Sequence, residues 1–171
     1  MSSYRFLSDD DLIAQCRVEH YRGSGPGGQK RNKTSNAVRL KHLETGLIVT
    51  ATEARSAKEN HLNAVRRMRL RLAAEIREAI DFIRFEPPDW FLSVRHNGHI
   101  DASHRHPLYA GVGGLVLDLF DALRGNPSDV AINLGVNTTA VVRVLENEPV
   151  FWAKANQIRI KDGLPALTHR R

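Results

Sequence analysis

The stretch that decides the fold of this chain is Arg22-Gly23-Ser24-Gly25-Pro26-Gly27-Gly28-Gln29. Four glycines and one proline between positions 23 and 28 exclude a regular helix or strand, so this stretch is predicted to be a loop. Its adjacent glycines permit positive φ angles and a close approach by another backbone. The residue pattern predicts one strand before the loop, at Arg17–Arg22, and another after it, at Ser35–His42.

A third strand and a long helix are predicted beyond the second strand. Leu47–Thr52 is expected to pair with Ser35–His42 as a hairpin, because a turn-forming segment separates them. Ser56, followed three residues later by Glu59, is a capping box, in which each side chain satisfies a backbone donor at a helix start. This helix is predicted to extend to about Ile83. Its apolar residues recur at helical spacing and are expected to face the sheet: Leu62, Val65, Met68, Leu72, Ile76 and Ile80.

The second half of the chain is predicted to be helical after an irregular segment. Periodicity fails from Glu86 to about His106, and no defensible metal-site spacing occurs among the histidines there. Four helices are predicted from Leu108 onward, and two of them flank Gly135 with the shape of a helix–turn–helix. We therefore expect an α+β domain at residues 1–85, a linker at 86–106 and a helix-turn-helix-like all-α domain at 107–171.

The positive charge of the chain is concentrated around the predicted loop. The net charge is +6, and residues 17–41 contain seven lysines and arginines against the single acid Glu19. A field of one sign in a short segment attracts a polyanion, and nucleic acid is the usual one. A solvated basic face without a partner is the alternative interpretation.

The composition argues against several classes of protein. Apolar residues make up 42% of the chain, which is enough for a core and atypical of a disordered protein. The sequence has no apolar run of membrane-spanning length and no secretory signal, and Cys16 is its only cysteine. These features favour a cytoplasmic protein without an internal disulfide.

The predicted loop is suited to positioning rather than to acid–base chemistry. A glutamine such as Gln29 only donates and accepts hydrogen bonds. Backbone N–H groups in a glycine-rich loop, by contrast, can stabilise a developing negative charge. The following Lys30-Arg31-Asn32-Lys33-Thr34 is expected to hold a phosphate backbone by charge and hydroxyl contacts. The loop lacks the Gly-Lys-Ser/Thr spacing of a nucleotide-binding P-loop.

The loop and its flanking segments share a pattern with a known family. Its parts are residues 22–29, Asn32-Lys33-Thr34, Ala37-Val38-Arg39-Leu40, Thr45–Val49, and Glu53–Ser56 with Asn60. Over about residues 8–84 the chain resembles the catalytic domain of class-1 peptide chain release factors. The resemblance implies that the loop enters the peptidyl transferase centre of the large ribosomal subunit. There it would help water attack the ester that joins the nascent peptide to tRNA.

The resemblance also implies roles for individual residues. Gln29 is expected to stabilise the reacting oxygens through its backbone N–H and to help select water through its side chain. Gly27 and Gly28 give Gln29 its conformation. A dedicated methyltransferase that modifies Gln29 is an implied partner, and no metal or organic cofactor is implied. Contacts with rRNA and tRNA are expected from the rest of the loop and from one strand residue: Arg22, Ser24, Gly25, Pro26, Lys30, Arg31, Asn32, Lys33, Thr34 and Arg39.

The position of the loop favours a rescue factor over a stop-codon reader. The residues before Arg22 leave no room for a decoding domain, so we expect a codon-independent, monomeric factor that releases peptides from stalled ribosomes. Two other hypotheses stay open, which are a non-catalytic ribosome- or nucleic-acid-binding module and a DNA-binding regulator. The regulator is disfavoured because Arg143 is the only cation of the candidate recognition helix Thr138–Glu146.

Overall fold

The computed structural model describes residues 4–21 and 36–169. The chain divides into two compact units, Met1–Leu72 and Ala73–Arg171. Helices and small antiparallel sheets occur together, which confirms the predicted α+β class. Within the described ranges, no helix has the length and apolar character needed to cross a membrane.

The first unit is built around a three-stranded antiparallel sheet with the order β1-β2-β3. Strand β1 is Cys16–Tyr21, β2 is Ala37–His42 and β3 is Ile48–Ala51. The pairing of β2 with β3 confirms the predicted hairpin. Before the sheet lie a short 3₁₀ helix at Tyr4–Phe6 and helix α1 at Asp9–Ala14, which the Ser8 hydroxyl caps.

The sheet has one face in the core and one face in solvent. Strand β2 shows this alternation directly, because Val38, Leu40 and His42 are fully buried whereas Arg39 and Lys41 are exposed. Side chains that are cross-strand partners share a face. The exposed face, called the outer face below, therefore carries Arg39 and Lys41 of β2 together with their neighbours on β1, which are Arg17, Glu19 and Tyr21.

Helix α2, Ala57–Glu75, begins where the capping box predicts. The Glu59 N–H donates to Oγ of Ser56 at 3.5 Å. Val65, Met68 and Leu72 of the predicted apolar stripe are buried. The assignment of Leu62 to this stripe is wrong, because its side chain is 55% exposed. Fewer residues of helix α2 are therefore buried than the spacing of its apolar residues predicted.

Helix α2 also ends about two turns before its predicted end. The reason is that side chains take over the backbone hydrogen bonds that a longer helix would make. The Arg77 guanidinium donates to the Ala73 carbonyl, and the Glu78 N–H donates to Oδ1 of Asp118 at 3.0 Å. Asp118 is only 2% exposed and lies 2.9 Å from Arg77. A buried carboxylate distant in sequence therefore holds the chain out of the helix.

The second unit is mainly helical, as predicted. The segment expected to be a linker, 86–106, contains secondary structure and buries Phe91 and Val94. The proposed domain limits at residues 85 and 106 stay a prediction, whereas the division between the two units follows Leu72. The elements after α2 are α3 (Asp89–Leu92), β4 (Arg95–His96), β5 (His99–Ile100), α4 (Tyr109–Ala122), α5 (Pro127–Leu134), α6 (Thr138–Glu146) and α7 (Pro149–Lys161).

Helix α4 forms the centre of the second unit. Its residues from Tyr109 to Phe120 are all buried, as expected of a helix that is apolar on every side. Gly113 lets the Phe151 ring of α7 pack directly on the α4 backbone. A Cβ atom at Gly113 would lie 2.0 Å from Cε2 of Phe151, so the contact requires glycine.

Candidate functional site

Strands β1 and β2 bring the two ends of the predicted loop together. Tyr21 and Ala37 are paired across the sheet, so residues on either side of the predicted loop lie next to each other. Partners in an antiparallel pair are about 5 Å apart. The predicted catalytic residues Gly27, Gly28 and Gln29 lie outside the described residues. So do the predicted RNA contacts Arg22, Ser24, Gly25, Pro26, Lys30, Arg31, Asn32, Lys33 and Thr34, whereas Arg39 lies on β2.

A buried amide anchors the chain where it returns to the sheet. Asn60 of α2 is 0% exposed, and its Nδ2 donates to the Asn36 carbonyl at 2.6 Å and to the Ala54 carbonyl at 3.0 Å. Its Oδ1 accepts the Ala54 N–H at 2.9 Å. The side chain of Asn36 adds a further tie, because its Nδ2 donates to the Arg55 carbonyl at 2.7 Å. We call this group of residues, Asn36, Ala54, Arg55 and Asn60, the asparagine clamp.

The sequence contains a signal for this clamp, which is Asn60. This residue belongs to the pattern shared with release factors, although that pattern alone predicts no role for it. It lies one turn before Ala64 and two turns before Met68, both of which are fully buried. A polar residue on the buried stripe of a helix needs hydrogen-bond partners, and here they are backbone groups from outside the helix.

Glu53 ties the connection between β3 and α2 to Arg67 of helix α2. Arg67 of α2 binds both carboxylate oxygens, with Nη2–Oε1 at 2.8 Å and Nη1–Oε2 at 3.2 Å. Burial acts to raise the pKa of Glu53, but the backbone N–H groups of Glu53 and Thr52 and the Arg67 guanidinium outweigh it and lower this pKa. Glu53 is therefore held ionised as a structural anion.

His42 is a second titratable group that serves the fold. Its Nδ1 accepts the Thr45 N–H at 3.3 Å, and its Nε2 lies 3.2 Å from Oε1 of Gln15. The ring of Tyr4 packs edge-on against the imidazole at a centroid distance of 5.2 Å. Burial lowers the pKa of His42 more than the nearby Glu44 carboxylate raises it. The imidazole is thus held neutral inside the first unit.

The outer face places charged groups close to the ends of the predicted loop. The Glu19 carboxylate lies 3.1 Å from Nε of Arg17 and 3.7 Å from Nη1 of Arg39. The Arg39 guanidinium also lies over the Tyr21 ring, 5.3 Å from its centroid. Two cations therefore share one carboxylate on this face, and Lys41 is a third exposed cation.

The comparison with known families concerns the part of the chain that contains this sheet. Residues 12–82 match the family model of the RF-1 domain. Over this stretch the chain is similar to that family. The match encloses all three strands, helix α2 and Gly27-Gly28-Gln29, so it confirms the resemblance to class-1 release factors.

Peptide chain release factors are similar to the RF-1 domain of this chain. Peptide chain release factor 1 of Caulobacter vibrioides is 46% identical over 80 residues, which are 47% of this chain and 21% of that protein. The factor 1 of Thermobifida fusca is 45% identical over 69 residues, or 40% of this chain and 18% of that protein. Peptide chain release factor 2 of Rhodococcus erythropolis is 45% identical over 72 residues, or 42% and 18%. The chain thus spans about a fifth of the length of these relatives.

Helices α5 and α6, beyond the RF-1 domain, have the predicted helix–turn–helix order. The turn begins at Gly135, whose φ of 65° suits glycine, as predicted for a residue that ends a helix. The Asn137 N–H donates to the Gly98 carbonyl of the β4–β5 ribbon at 2.7 Å, and the Asn137 side chain makes no capping bond. The part of α6 that faces the core is apolar: Ala140, Val141, Val144 and Leu145.

Proposed function

We propose that this chain hydrolyses the ester bond of peptidyl-tRNA on the ribosome. The observation that carries the proposal is that residues 12–82 match the family model of the RF-1 domain and include Gly27-Gly28-Gln29. In this mechanism the Gln29 backbone N–H stabilises negative charge on the reacting oxygens, and its side chain helps to select water. Ribosomal RNA supplies the rest of the site.

The geometry at the ends of the predicted loop supports a reaction that relies on positioning. The Tyr21–Ala37 pair and the asparagine clamp fix both ends of the segment that carries the motif. A fixed base reduces the freedom that must be lost when reacting groups are aligned. Glu53 and His42 are both engaged in structural contacts, which fits a mechanism driven by backbone hydrogen bonds rather than by these groups.

We further propose that release does not require a stop codon. Support comes from the second unit, most of which lies outside the RF-1 match. Residues 73–171 contain 11 lysines and arginines against 12 acids. This balance disfavours DNA binding, which normally needs a surplus of cations. A contact with the ribosome or with a ribosome-associated protein is the function we propose for this unit.

The test measures release of a labelled peptide from ribosomes that carry peptidyl-tRNA in the P site. Three complexes are compared, which have a stop codon, a sense codon or a truncated messenger in the A site. The wild-type chain is expected to release peptide from the truncated complex without requiring the stop codon. Gly28→Ala is expected to lower the rate by about a hundredfold or more, the scale seen when a stabilising donor is misplaced. Gly163→Ala is the control for a strained Gly→Ala change outside the motif, because Gly163 has a φ of 74° but open space around it.

The outcomes separate the proposal from its main alternative. Ribosome binding without peptide release by the wild-type chain would identify a non-catalytic binding module. Equal rates for the wild-type chain and Gly28→Ala would refute the role of the motif. Release that occurs only with the stop codon would refute codon independence and leave hydrolysis intact.

The same proposal includes a cytoplasmic location, a monomeric state and a methyltransferase that acts on Gln29. Mass spectrometry of the chain isolated from its own cells tests the last point directly. A single added methyl group on the peptide that contains Gln29 is the expected result, and an unmodified peptide would refute it.

A further inference from the structure

The outer face of the three-stranded sheet carries three exposed cations and one carboxylate. The side chain of Arg17 is 70% exposed and that of Arg39 is 47% exposed, while Glu19 lies between them with 36% exposure. Lys41 is also exposed and is the cross-strand partner of Arg17. The opposite face of β2 forms the core, so these cations point away from the interior of the unit.

The contacts within this cluster orient the guanidinium groups without neutralising the face. Glu19 binds Arg17 through Oε1 and Arg39 through Oε2, so one negative charge is shared by two positive ones. The Tyr21 ring supports Arg39 from below. A guanidinium has five N–H donors, and the pairs with Glu19 use only part of them. Exposed ion pairs are also weak, so both arginines can bind another anion at small cost.

The spacing of the cations suits an extended anion. Arg39 and Lys41 are two residues apart on β2, which is about 7 Å. Arg17 and Lys41 are cross-strand partners and therefore lie about 5 Å apart at their Cα atoms. The same two strands lead to Tyr21 and Ala37, where the predicted loop begins and ends. An extended polyanion that contacts the predicted loop can therefore also lie along this face.

The distribution of charge over the whole chain favours a nucleic acid as the occupant. Residues 1–72 contain 14 lysines and arginines against 7 acids, whereas residues 73–171 contain 11 against 12. The positive surplus therefore belongs entirely to the first unit. The sequence between β1 and β2 contains four further cations, Arg22, Lys30, Arg31 and Lys33. A run of cations of this length matches the regular charge of a phosphodiester backbone better than an acidic patch on a protein.

We propose that the outer face binds the phosphate backbone of RNA, with Arg17, Arg39 and Lys41 as phosphate ligands. Glu19 and Tyr21 position the two arginines. Contacts of this kind fix orientation without reading sequence. The choice of large-subunit RNA as the target rests on the proposed function, whereas the surface itself is inferred from the charges and contacts of the sheet.

The test measures how salt affects binding of the full chain to purified large ribosomal subunits. Each lost phosphate contact is expected to flatten the plot of log K against log salt concentration by roughly 0.7–0.9. Arg39→Gln should therefore lower the slope by about one, and the triple change Arg17→Gln, Arg39→Gln, Lys41→Gln by about two to three. Lys58→Gln, which removes an exposed cation of helix α2 that does not lie on the outer face, is the control and should leave the slope unchanged. Thermal unfolding of each variant verifies that the fold is retained.

A second probe identifies the kind of partner. A short fluorescein-labelled RNA of mixed sequence should show the same loss of slope with the triple variant. If only poly-L-glutamate binding responds to the changes, the face is a contact for an acidic protein and the proposal is wrong. Equal slopes for wild type, the triple variant and Lys58→Gln would also overturn it.

Peptide release measured in parallel separates this inference from the proposed function. A normal slope in the triple variant, together with normal release by the wild type, would refute RNA binding by the outer face and support the proposed hydrolysis. A flattened slope, together with no release by the wild type, would support RNA binding by the outer face and refute the proposed hydrolysis.

Discussion

The buried side-chain amide of Asn60 donates to the backbone carbonyl of Asn36 at 2.6 Å. These two residues are 24 positions apart, and the predicted loop lies just before Asn36, which precedes β2. The bond therefore connects helix α2 with the residue just before β2. Four predictions follow from this contact and from three others in the fold.

Asn60→Ala is expected to lower the free energy of unfolding by about 2–3 kcal/mol, because it removes the three hydrogen bonds that this fully buried side chain makes with backbone groups of Asn36 and Ala54. Urea unfolding followed by circular dichroism measures this change. Asn63→Ala is the matched control on the same helix, because it removes only an exposed contact with Glu53. A similar loss in both variants would contradict the role assigned to the asparagine clamp.

Gly113→Ala is expected to destabilise the chain by at least 1–3 kcal/mol, because the new Cβ would overlap the Phe151 ring. Thermal or urea unfolding measures the effect. Phe151→Leu in the same background should recover part of the lost stability, although it is itself destabilising in the wild type. An additive double-mutant cycle would show that the two residues do not interact and would reject the predicted contact.

His42 should make the stability of the first unit depend on pH below its usual pKa of 6.5. Burial lowers the pKa of His42 in the folded state, so the unfolded chain binds a proton that the folded chain does not. This stability is complete above pH 6.5 and declines as the pH falls from there toward the lowered folded pKa. Unfolding curves between neutral and mildly acidic pH should show this decline. The His42→Gln variant, although less stable overall, should show a smaller dependence in this window, and an equal dependence would refute the assignment.

Glu53 should govern a separate and more acidic window. Despite the opposing effect of burial, backbone N–H groups and Arg67 lower the pKa of Glu53 below its usual value of 4.5. Its contribution to stability is present above pH 4.5 and is lost as the pH falls through the lowered folded pKa. Glu53→Gln is expected to remove this acidic dependence while leaving the window of His42 unchanged. A variant that retained the full acidic decline would show that other carboxylates are responsible.

Local features of the first unit were predictable from the sequence because their causes are local. The capping box at Ser56 and Glu59 determined the start of α2, and a short turn segment determined the β2–β3 hairpin. The end of α2 was not predictable in this way. It depends on Asp118, which meets Arg77 and Glu78 only after the second unit has folded.

The ribbon in the expected linker shows a different reason for failure. Its strands contain only two residues each, which is too short for an alternation pattern to be recognised. The turn did carry a signal, because Asn97-Gly98 is a typical hairpin pair and both residues have positive φ, at 49° and 76°. The predicted catalytic residues rest on the motif and the resemblance, and the structure contributes the geometry at the ends of the loop.

The Tyr21–Ala37 pair also sets a limit on distance. Gln29 is eight residues from Tyr21 and eight residues from Ala37, so it occupies the midpoint of the segment that this pair closes. Eight residues extend at most roughly 29 Å, which bounds how far Gln29 can lie from this pair. In the proposed reaction, the ester bond would have to come within this distance of the β1–β2 edge. Removing residues from both arms would shorten this maximum reach without altering the motif.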